Sequence, residues 1–180
     1  LIPRPETEEL VDWIINSEKN ATSILDIGTG SGCIPLALKN NLKTSKVSGC
    51  DISEKAIELA KNNSKNLNLE VNFFSLDILN RTDWEGGKLD VIVSNPPYIP
   101  IKEKFKMSKN VLDYEPSLAL FVPNDNPLLF YIKIAEFSIL NLKSKGSLYF
   151  EIHEDFGEEV IKMLEIKGFN NLEIRQDLQG

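Results

Sequence analysis

A glycine-rich stretch, Asp26-Ile-Gly28-Thr-Gly30-Ser-Gly32, follows a short apolar run and precedes a helical pattern. Glycine allows the backbone to turn sharply there and to lie against a ligand, while the amides at the start of the next helix point outward. The spacing is G-x-G-x-G, since Cys33 stands where the dinucleotide pattern G-x-G-x-x-G would end. The stretch predicts a ligand-binding loop, but by itself it does not specify the ligand.

Acidic residues end the next two predicted strands. Asp51 ends the second strand, where a carboxylate can accept hydrogen bonds from both hydroxyls of an unphosphorylated ribose. Asp77 ends the third strand, where an adenine edge would lie in such a crevice. A turn or helix cap also explains any one of these aspartates, because Asp favours those places. Acidic residues at three successive strand ends, Asp26 included, favour ligand binding over three separate caps.

The fourth predicted strand ends in Asn95-Pro96-Pro97-Tyr98. Prolines often terminate a strand, so the pair alone has a structural explanation. That explanation does not account for an asparagine directly before the rigid pair and a tyrosine directly after it. We therefore interpret this tetrapeptide as part of a functional site at the same end of the sheet.

The overall charge argues against a free polynucleotide as ligand. The 180 residues include 27 acidic and 20 basic side chains, which leaves a formal charge of -7, and an acidic surface repels phosphate. Only Arg4, Arg81 and Arg175 carry the planar guanidinium that favours phosphate and guanine recognition.

Cysteine and histidine are scarce. Cys33, Cys50 and His153 are too few for a disulfide framework or a Cys/His zinc site, so no metal is expected and a cytosolic, reducing setting fits best. No apolar run approaches the roughly 18 residues that a membrane span requires. For His153, which belongs to no pattern with a partner residue, a structural role near a strand end is the favoured interpretation.

Strand and helix patterns alternate along the chain and must bring these residues together. The alternation predicts an α/β fold in which helices cover both faces of a mostly parallel sheet, with residues 1–180 as a single domain. The predicted helices are Glu6 to Ser17, Ile34 to Leu38 and beyond, a Ser53-capped helix to about Lys65, Leu128 to Leu142 and Phe156 to Ile166. The predicted strands are Ser23 to Ile27, Val47 to Asp51, Val71 to Leu76, Leu89 to Ser94, Ser147 to Ile152 and Leu172 to Arg175.

The segment from Asn95 to Asn126 has no clear periodicity and is long for a bland connection, which indicates a functional loop. The chain opens on Leu1 inside a turn that leads into a helix, and it stops at Gly180 just after a strand-like run. We expect from this that the chain is a trimmed piece of a longer protein.

Taken together, the motifs resemble S-adenosylmethionine-dependent methyltransferases that act on the nitrogen of a planar amide or exocyclic amine. Four segments narrow the resemblance to the protein-(glutamine-N5) methyltransferases that modify peptide-chain release factors. These segments are LIPRPETEELV (1–11), DIGTGSGCIPLAL (26–38), SNPPYIP (94–100) and EPSLAL (115–120). The resemblance implies a Rossmann-like class I fold. It also implies a helical substrate domain and a final antiparallel strand that this chain lacks.

The resemblance also implies a role for each matching residue. Asn95 and the carbonyl of Pro96 would accept the two hydrogens of the substrate amide, Pro97 would keep the pair rigid, and Tyr98 would pack against the amide plane. Asn95 would also border the cofactor, S-adenosylmethionine. The other cofactor-binding residues would be Gly28, Thr29, Gly30, Ser31 and Gly32 at the methionine moiety, Asp51 at the ribose, and Asp77 with Ile78 at the adenine.

Three alternative functions stay open at this point. A glutamine of a ribosomal protein is a close rival to a release factor as substrate. Adenine-N6 methylation of nucleic acid is also possible, because adenine presents a similar planar NH2 group. Such an enzyme must flip a base and bind phosphates, which the negative net charge of this chain disfavours. A non-catalytic scaffold would not need the glycines, the ribose-type aspartate or Asn95-Pro-Pro-Tyr98.

Several charged residues have two interpretations. Arg4 and Glu6 fit a substrate entrance and an N-terminal cap with a surface ion pair equally well. For the lysines of the long loop, a solvated surface is the favoured interpretation; these are Lys102, Lys104, Lys106 and Lys109.

Overall fold

The computed structural model of the chain describes residues 5–82, 84–101 and 121–176. The helices are α1 (Pro5–Ser17), α2 (Cys33–Asn41), α3 (Glu54–Leu67), α4 (Leu129–Asn141) and α5 (Gly157–Ile166), with a 3-10 turn at Glu154–Phe156. The strands are β1 (Ser23–Ile27), β2 (Lys46–Asp51), β3 (Asn72–Ser75), β4 (Leu89–Ser94), β5 (Ile99–Pro100), β6 (Phe121–Val122) and β7 (Leu142–Phe150).

Five strands form one parallel sheet in the order β3-β2-β1-β4-β7. The strand order reverses at β1, because β2 pairs with one side of it and β4 with the other. In open α/β sheets such a reversal opens a crevice beyond the carboxyl ends of the strands, where ligands bind. The short strands β5 and β6 pair separately, also in parallel.

Helices cover both faces of the sheet, as the sequence predicts. On one face, Ile14 of α1 and Leu38 of α2 pack with Ile24 of β1, and all three are essentially inaccessible to solvent. On the other face, Ile134 and Phe137 of α4 belong to the core cluster that Leu25 and Ile27 of β1 and Ile92 of β4 help to form. Adjacent residues of β1 thus enter opposite cores, as the period of two in a strand requires. The expectation of an α/β fold of the Rossmann-like type is confirmed.

Most predicted elements are confirmed within a few residues. Ser53 caps α3 as expected, because its hydroxyl accepts a hydrogen bond from the N–H of Ala56. The strand predicted at Ser147 to Ile152 begins earlier and ends earlier, as β7 starts at Leu142 directly after α4. Its register against β4 is irregular between Leu89 and Val91.

The strand predicted at Leu172 to Arg175 is wrong, since residues 172–176 form no strand. Leu172 packs on the cluster between α4 and α5, whereas the guanidinium of Arg175 stacks 4.0 Å from the ring centre of Trp13 on α1. The segment therefore crosses the β7 edge from one face of the sheet to the other instead of extending the sheet. Side-chain packing decides its path, and an apolar alternation cannot reveal that.

Part of the predicted site falls outside the described residues. This applies to Arg4, to the EPSLAL motif (115–120) and to Lys102, Lys104, Lys106 and Lys109. Within the described ranges, no helix combines the length and apolar character that crossing a bilayer requires.

Candidate active site

The carboxyl ends of the parallel strands bring the predicted site residues to one edge of the sheet. Ile27 at the end of β1 is in register with Cys50 on one side and with Ser94 on the other. The glycine loop that follows β1 therefore lies between Asp51 and Asn95. The carbonyl oxygen of Asn95 lies only 4.0 Å from the position that a side-chain carbon on Gly28 would occupy. The loop and the Asn95 backbone thus meet at the point where the strand order reverses.

The glycine loop adopts a backbone that other residues rarely accept. Gly28, Gly30 and Gly32 all have positive φ angles, of 78°, 54° and 81°. At Gly32, the N-terminal cap of α2, a side-chain carbon would approach the ring of Phe73 to 3.0 Å and Ala60 to 3.1 Å. Glycine is therefore required at that position by packing as well as by φ.

Main-chain hydrogen bonds join the loop to β2. The N–H groups of Gly28 and Thr29 both donate to the carbonyl of Cys50, at 2.8 and 2.9 Å. The N–H of Gly30 donates to Oδ2 of Asp51 at 2.9 Å, and Oδ1 of Asp51 accepts from the N–H of Ser53 at 2.9 Å. Asp51 therefore holds the loop against the start of α3. Its carboxylate is partly exposed and keeps further lone pairs for a ligand.

Asp77 and Ile78, the two residues predicted to lie at the adenine, both have partners within the protein. Oδ1 of Asp77 accepts from the N–H of Leu79, and Oδ2 accepts from the side-chain amide of Asn80. These bonds match the turn-cap interpretation of Asp77. Ile78 is buried in the core on the α4 face. Contact of either residue with a ligand stays a prediction.

Asn95 belongs to a network of polar side chains that could not be predicted from the sequence. Its Nδ2 lies 3.5 Å from the hydroxyl of Thr7 on α1, and that hydroxyl donates to Oε2 of Glu151 at 2.6 Å. The hydroxyl of Tyr98 lies 3.5 Å from the other carboxylate oxygen of Glu151. Thr7 and Glu151 are 144 residues apart, and although Thr7 belongs to the segment LIPRPETEELV (1–11), that segment does not indicate its contact with Glu151.

Aromatic rings border this polar network. The ring of Tyr98 meets that of His153 edge to face at 5.7 Å, and His153 lies 5.2 Å from the ring of Phe156. Nδ1 of His153 accepts from the N–H of Asp155 and so caps the 3-10 turn. The structural role expected for His153 agrees with this geometry. Tyr131, which is buried, donates to the main-chain carbonyl of Glu151 at 3.3 Å.

Asp26 lies beneath the glycine loop and is completely buried. Neither of its carboxylate oxygens has a hydrogen-bond partner of normal geometry among the described residues, and the same holds for the hydroxyl of Thr29. Burial raises the pKa of Asp26 to about 7; the nearby Thr29 hydroxyl opposes this shift and the Asp51 carboxylate adds to it. An unpaired buried carboxyl is costly, which marks this position as one that a ligand would complete.

Other kinds of chemistry find little support at this edge. Burial and the charge of Asp26 raise the pKa of both Cys33 and Cys50, so neither thiol is prepared to act as a thiolate nucleophile. In the part of the chain that the structure describes, no three His, Cys, Asp or Glu side chains are grouped as metal ligands would be. What the edge offers is main-chain amides, hydrogen-bond acceptors and aromatic rings.

Curated relatives resemble the whole of this chain. The release factor glutamine methyltransferases of Bacteroides thetaiotaomicron and Flavobacterium psychrophilum are each 46% identical to it over 100% of its length. The chain spans about 65% of the length of these two relatives.

Solved structures share the fold at low sequence identity. The ribosomal protein L11 methylase of Lactobacillus delbrueckii subsp. bulgaricus has a TM-score of 0.67 at 19% identity, covering 98% of this chain and 76% of its own. The catalytic domain of hMettl16, in complex with a 3'UTR hairpin, has a TM-score of 0.71 at 22% identity, covering 93% and 63%. At these identities the likeness shows the fold alone.

A family model described as "Methyltransferase small domain" matches residues 7–114, which include the glycine loop, Asp51, Asp77 and Asn95 to Tyr98. The strand order and the glycine loop are both consistent with this match to a methyltransferase domain. The chain belongs to the methyltransferase small domain family.

Proposed function

We propose that this chain is a catalytic domain that transfers a methyl group from S-adenosylmethionine to the side-chain amide nitrogen of a glutamine in a peptide-chain release factor. One observation carries the proposal: the Asn95 backbone meets the glycine loop at the crevice, where Nδ2 of the Asn95 amide lies 3.5 Å from the hydroxyl of Thr7. The names of the two relatives at 46% identity support the substrate class.

The residues at the crevice fit S-adenosylmethionine. At Gly30 a side-chain carbon would meet nothing within 4 Å, so glycine leaves that part of the loop surface free for a ligand, while the positive φ angles of Gly28, Gly30 and Gly32 let the backbone turn sharply. The buried carboxyl of Asp26 has no hydrogen-bond partner of normal geometry among the described residues, and the ammonium group at the methionine end of the donor would favour its ionised form. The residues that would hold the donor are Gly28, Thr29, Gly30, Ser31 and Gly32, together with Asp51 at the ribose, Asp77 and Ile78 at the adenine, and Asn95.

S-adenosylmethionine supplies an electrophilic methyl group on a sulfonium, which is already an excellent leaving group. The protein must therefore prepare a weak nucleophile, because the lone pair of an amide nitrogen is delocalised. Asn95 and the carbonyl of Pro96 would accept the two hydrogens of the substrate amide and so aim its nitrogen at the methyl group. Tyr98 would pack against the amide plane, and Pro97 would keep the backbone between them rigid.

Orientation supplies most of the catalysis in this account. Holding two reactants in register can contribute on the order of 7 kcal/mol or more. Acceptors fixed in advance add electrostatic stabilisation, since they need not reorganise during the reaction. The excess proton leaves the methylated nitrogen for solvent, so no dedicated strong base is needed. This agrees with a site that has His153 only at its border, where it caps a turn.

Two rival substrates share the same chemistry. A ribosomal-protein glutamine presents the same amide, and adenine presents a similar planar NH2 group. The formal charge of -7 disfavours nucleic acid, because binding it requires neutralising phosphates. The 46% identity to two release factor glutamine methyltransferases, over the whole of this chain, favours a release factor over a ribosomal protein. Release factors act in the cytoplasm, which is where we propose this protein works, without binding a membrane or nucleic acid directly.

A substrate panel tests the proposal. The full-length protein and methyl-labelled S-adenosylmethionine are incubated separately with four substrates. These are a release factor, a variant of that release factor in which the glutamine that accepts the methyl group is replaced, a ribosomal protein and DNA. We expect label on the release factor and none on the replaced variant. Label on DNA, or equal label on both forms of the release factor, would contradict the proposal. Label found only on the ribosomal protein would support methylation of a protein amide but would contradict a release factor as the substrate.

A further inference from the structure

Thr7 has one hydroxyl proton, and the short contact of its oxygen with a carboxylate, which can only accept, determines where that proton points. The hydroxyl donates to Oε2 of Glu151 at 2.6 Å, a short distance typical of a hydrogen bond to a carboxylate. The oxygen of Thr7 can then act only as an acceptor toward its other neighbour, Asn95. It therefore matches the NH2 group of the Asn95 amide, which lies 3.5 Å away, and does not match the amide oxygen.

We propose that Thr7 and Glu151 are positioning residues that fix which end of the Asn95 amide faces the substrate. This inference rests on the proposed function. With the NH2 group turned toward Thr7, Oδ1 of Asn95 is left to accept a hydrogen from the glutamine amide. A flipped Asn95 would present its own NH2 to the substrate NH2, and donor would face donor. The flip would also place Oδ1 against a Thr7 oxygen that has no proton left to donate.

The surrounding contacts keep this arrangement rigid. Thr7 is buried, with 4% of its surface exposed, so water does not readily replace either partner. The N–H of Glu151 donates to the carbonyl of Ser94 at 3.0 Å, directly beside Asn95. Tyr131 donates to the carbonyl of Glu151. Glu151 is therefore anchored by its backbone to the end of β4, the strand that carries Asn95, and its carboxylate reaches Thr7 on α1.

Helix α1 also contributes to this arrangement. The first turn of this helix supplies Thr7, and Ile14 further along anchors it in the core. The position of α1 against the sheet thus determines the orientation of an amide at the crevice. A change that removes only the Thr7 hydroxyl should be felt in the rate of methyl transfer and not in the binding of S-adenosylmethionine.

Thr7→Val removes the hydroxyl and keeps the shape of the side chain. In the full-length protein we expect the single-turnover rate of methyl transfer to fall by about 10- to 100-fold, the size expected for a small misplacement of reacting groups. Affinity for S-adenosylmethionine, measured by calorimetry, should stay near that of the wild type. Thr7→Ser restores the hydroxyl and should recover most of the rate. Ser138→Ala, which removes a buried hydroxyl inside α4, serves as a matched control and should leave the rate unchanged.

Two measurements decide whether Thr7 acts through Asn95. In an Asn95→Ala background, Thr7→Val should cause no further loss of rate. By NMR, the Asn95 side-chain NH2 signals should be protected from solvent exchange in the wild type and in Thr7→Ser, and should lose that protection in Thr7→Val. Wild-type turnover in Thr7→Val, an equal loss in the Asn95→Ala background, or unchanged protection would overturn the inference. The NMR comparison needs no substrate, so it still decides the matter if a release factor is not methylated.

Discussion

The N–H of Gly30 donates a 2.9 Å hydrogen bond to Oδ2 of Asp51, which ties the loop after β1 to the end of β2. One carboxylate thus shapes the loop and, in our proposal, also accepts the ribose hydroxyls of the methyl donor. Loss of this side chain would affect both tasks, and that makes Asp51 a sensitive position for measuring how well the crevice binds its donor.

Asp51→Ala should weaken binding of S-adenosylmethionine by at least about tenfold, because a hydrogen bond to a charged group contributes on the order of 1.5 to 3 kcal/mol. Isothermal titration calorimetry measures the change. Asp77→Ala makes a useful comparison, since both oxygens of Asp77 already cap a turn, and we expect a smaller loss there. Equal affinities for the wild type and Asp51→Ala would exclude Asp51 from the donor site.

Two glycines of the loop should differ in how they tolerate alanine. Gly32→Ala places a side-chain carbon 3.0 Å from Phe73 at a φ of 81°, so it combines a packing clash with backbone strain. Gly30→Ala meets nothing within 4 Å and carries only the left-handed backbone cost, about 1 to 2 kcal/mol. We expect urea denaturation to show the larger loss of unfolding free energy for Gly32→Ala. The reverse order would mean that the loop is not packed as described.

Asp26→Asn should stabilise the ligand-free protein at pH 8 relative to the wild type. The pKa of Asp26 is raised to about 7, so the folded protein binds this proton more tightly than the unfolded chain does. The cost of ionising the buried carboxyl is absent near pH 4, grows as the pH rises toward 7 and is complete above it. Each pKa unit corresponds to about 1.4 kcal/mol, so the gain should reach a few kcal/mol.

Asp90 provides a control of opposite sign for that experiment. Some desolvation acts against ionisation of Asp90, but hydrogen bonds from Lys143, Thr22 and Ser23 prevail and hold the pKa of Asp90 well below its usual range. Asp90→Asn should therefore destabilise the protein at neutral pH, and the effect should fade as the pH falls toward the pKa of the folded state. Thermal melts of the wild type and Asp26→Asn at pH 5 and pH 8, and of the wild type and Asp90→Asn at pH 7 and pH 3, provide the comparison. A stability gain of Asp26→Asn over the wild type that is no larger at pH 8 than at pH 5 would contradict the raised pKa of Asp26.

The sequence was sufficient to place the carboxyl ends of β1, β2 and β4, because each of these runs is followed by or ends at a glycine or polar residue. Gly28, Asp51 and Asn95 could therefore be assigned to one edge from the parallel topology alone. Thr7 and Glu151 could not, since their contact joins residues 144 apart and depends on how α1 docks on the sheet. The environment of Asp26 was equally hidden, because a strand pattern does not show whether a buried carboxyl finds a partner.

The strand wrongly predicted at Leu172 to Arg175 also shows that contacts between distant residues cannot be read from a local sequence pattern. Its alternating pattern suits a strand, yet Arg175 gains the face of the Trp13 ring and Leu172 gains the α4–α5 cluster. Those partners come from distant parts of the sequence. Local periodicity describes what a segment can bury, and tertiary packing determines against what it is buried.

The single-turnover rate of methyl transfer to a release factor by Asn95→Ala shows most directly whether Asn95 orients the substrate amide. Asn95→Ala leaves the glycine loop and Asp51 intact and removes only one of the contacts proposed for the donor, so affinity for S-adenosylmethionine should be largely retained. The rate should fall by about 100-fold or more, comparable to removing one preorganised hydrogen-bonding group from an active site. A rate equal to that of the wild type would contradict the proposal that Asn95 binds and orients the substrate amide.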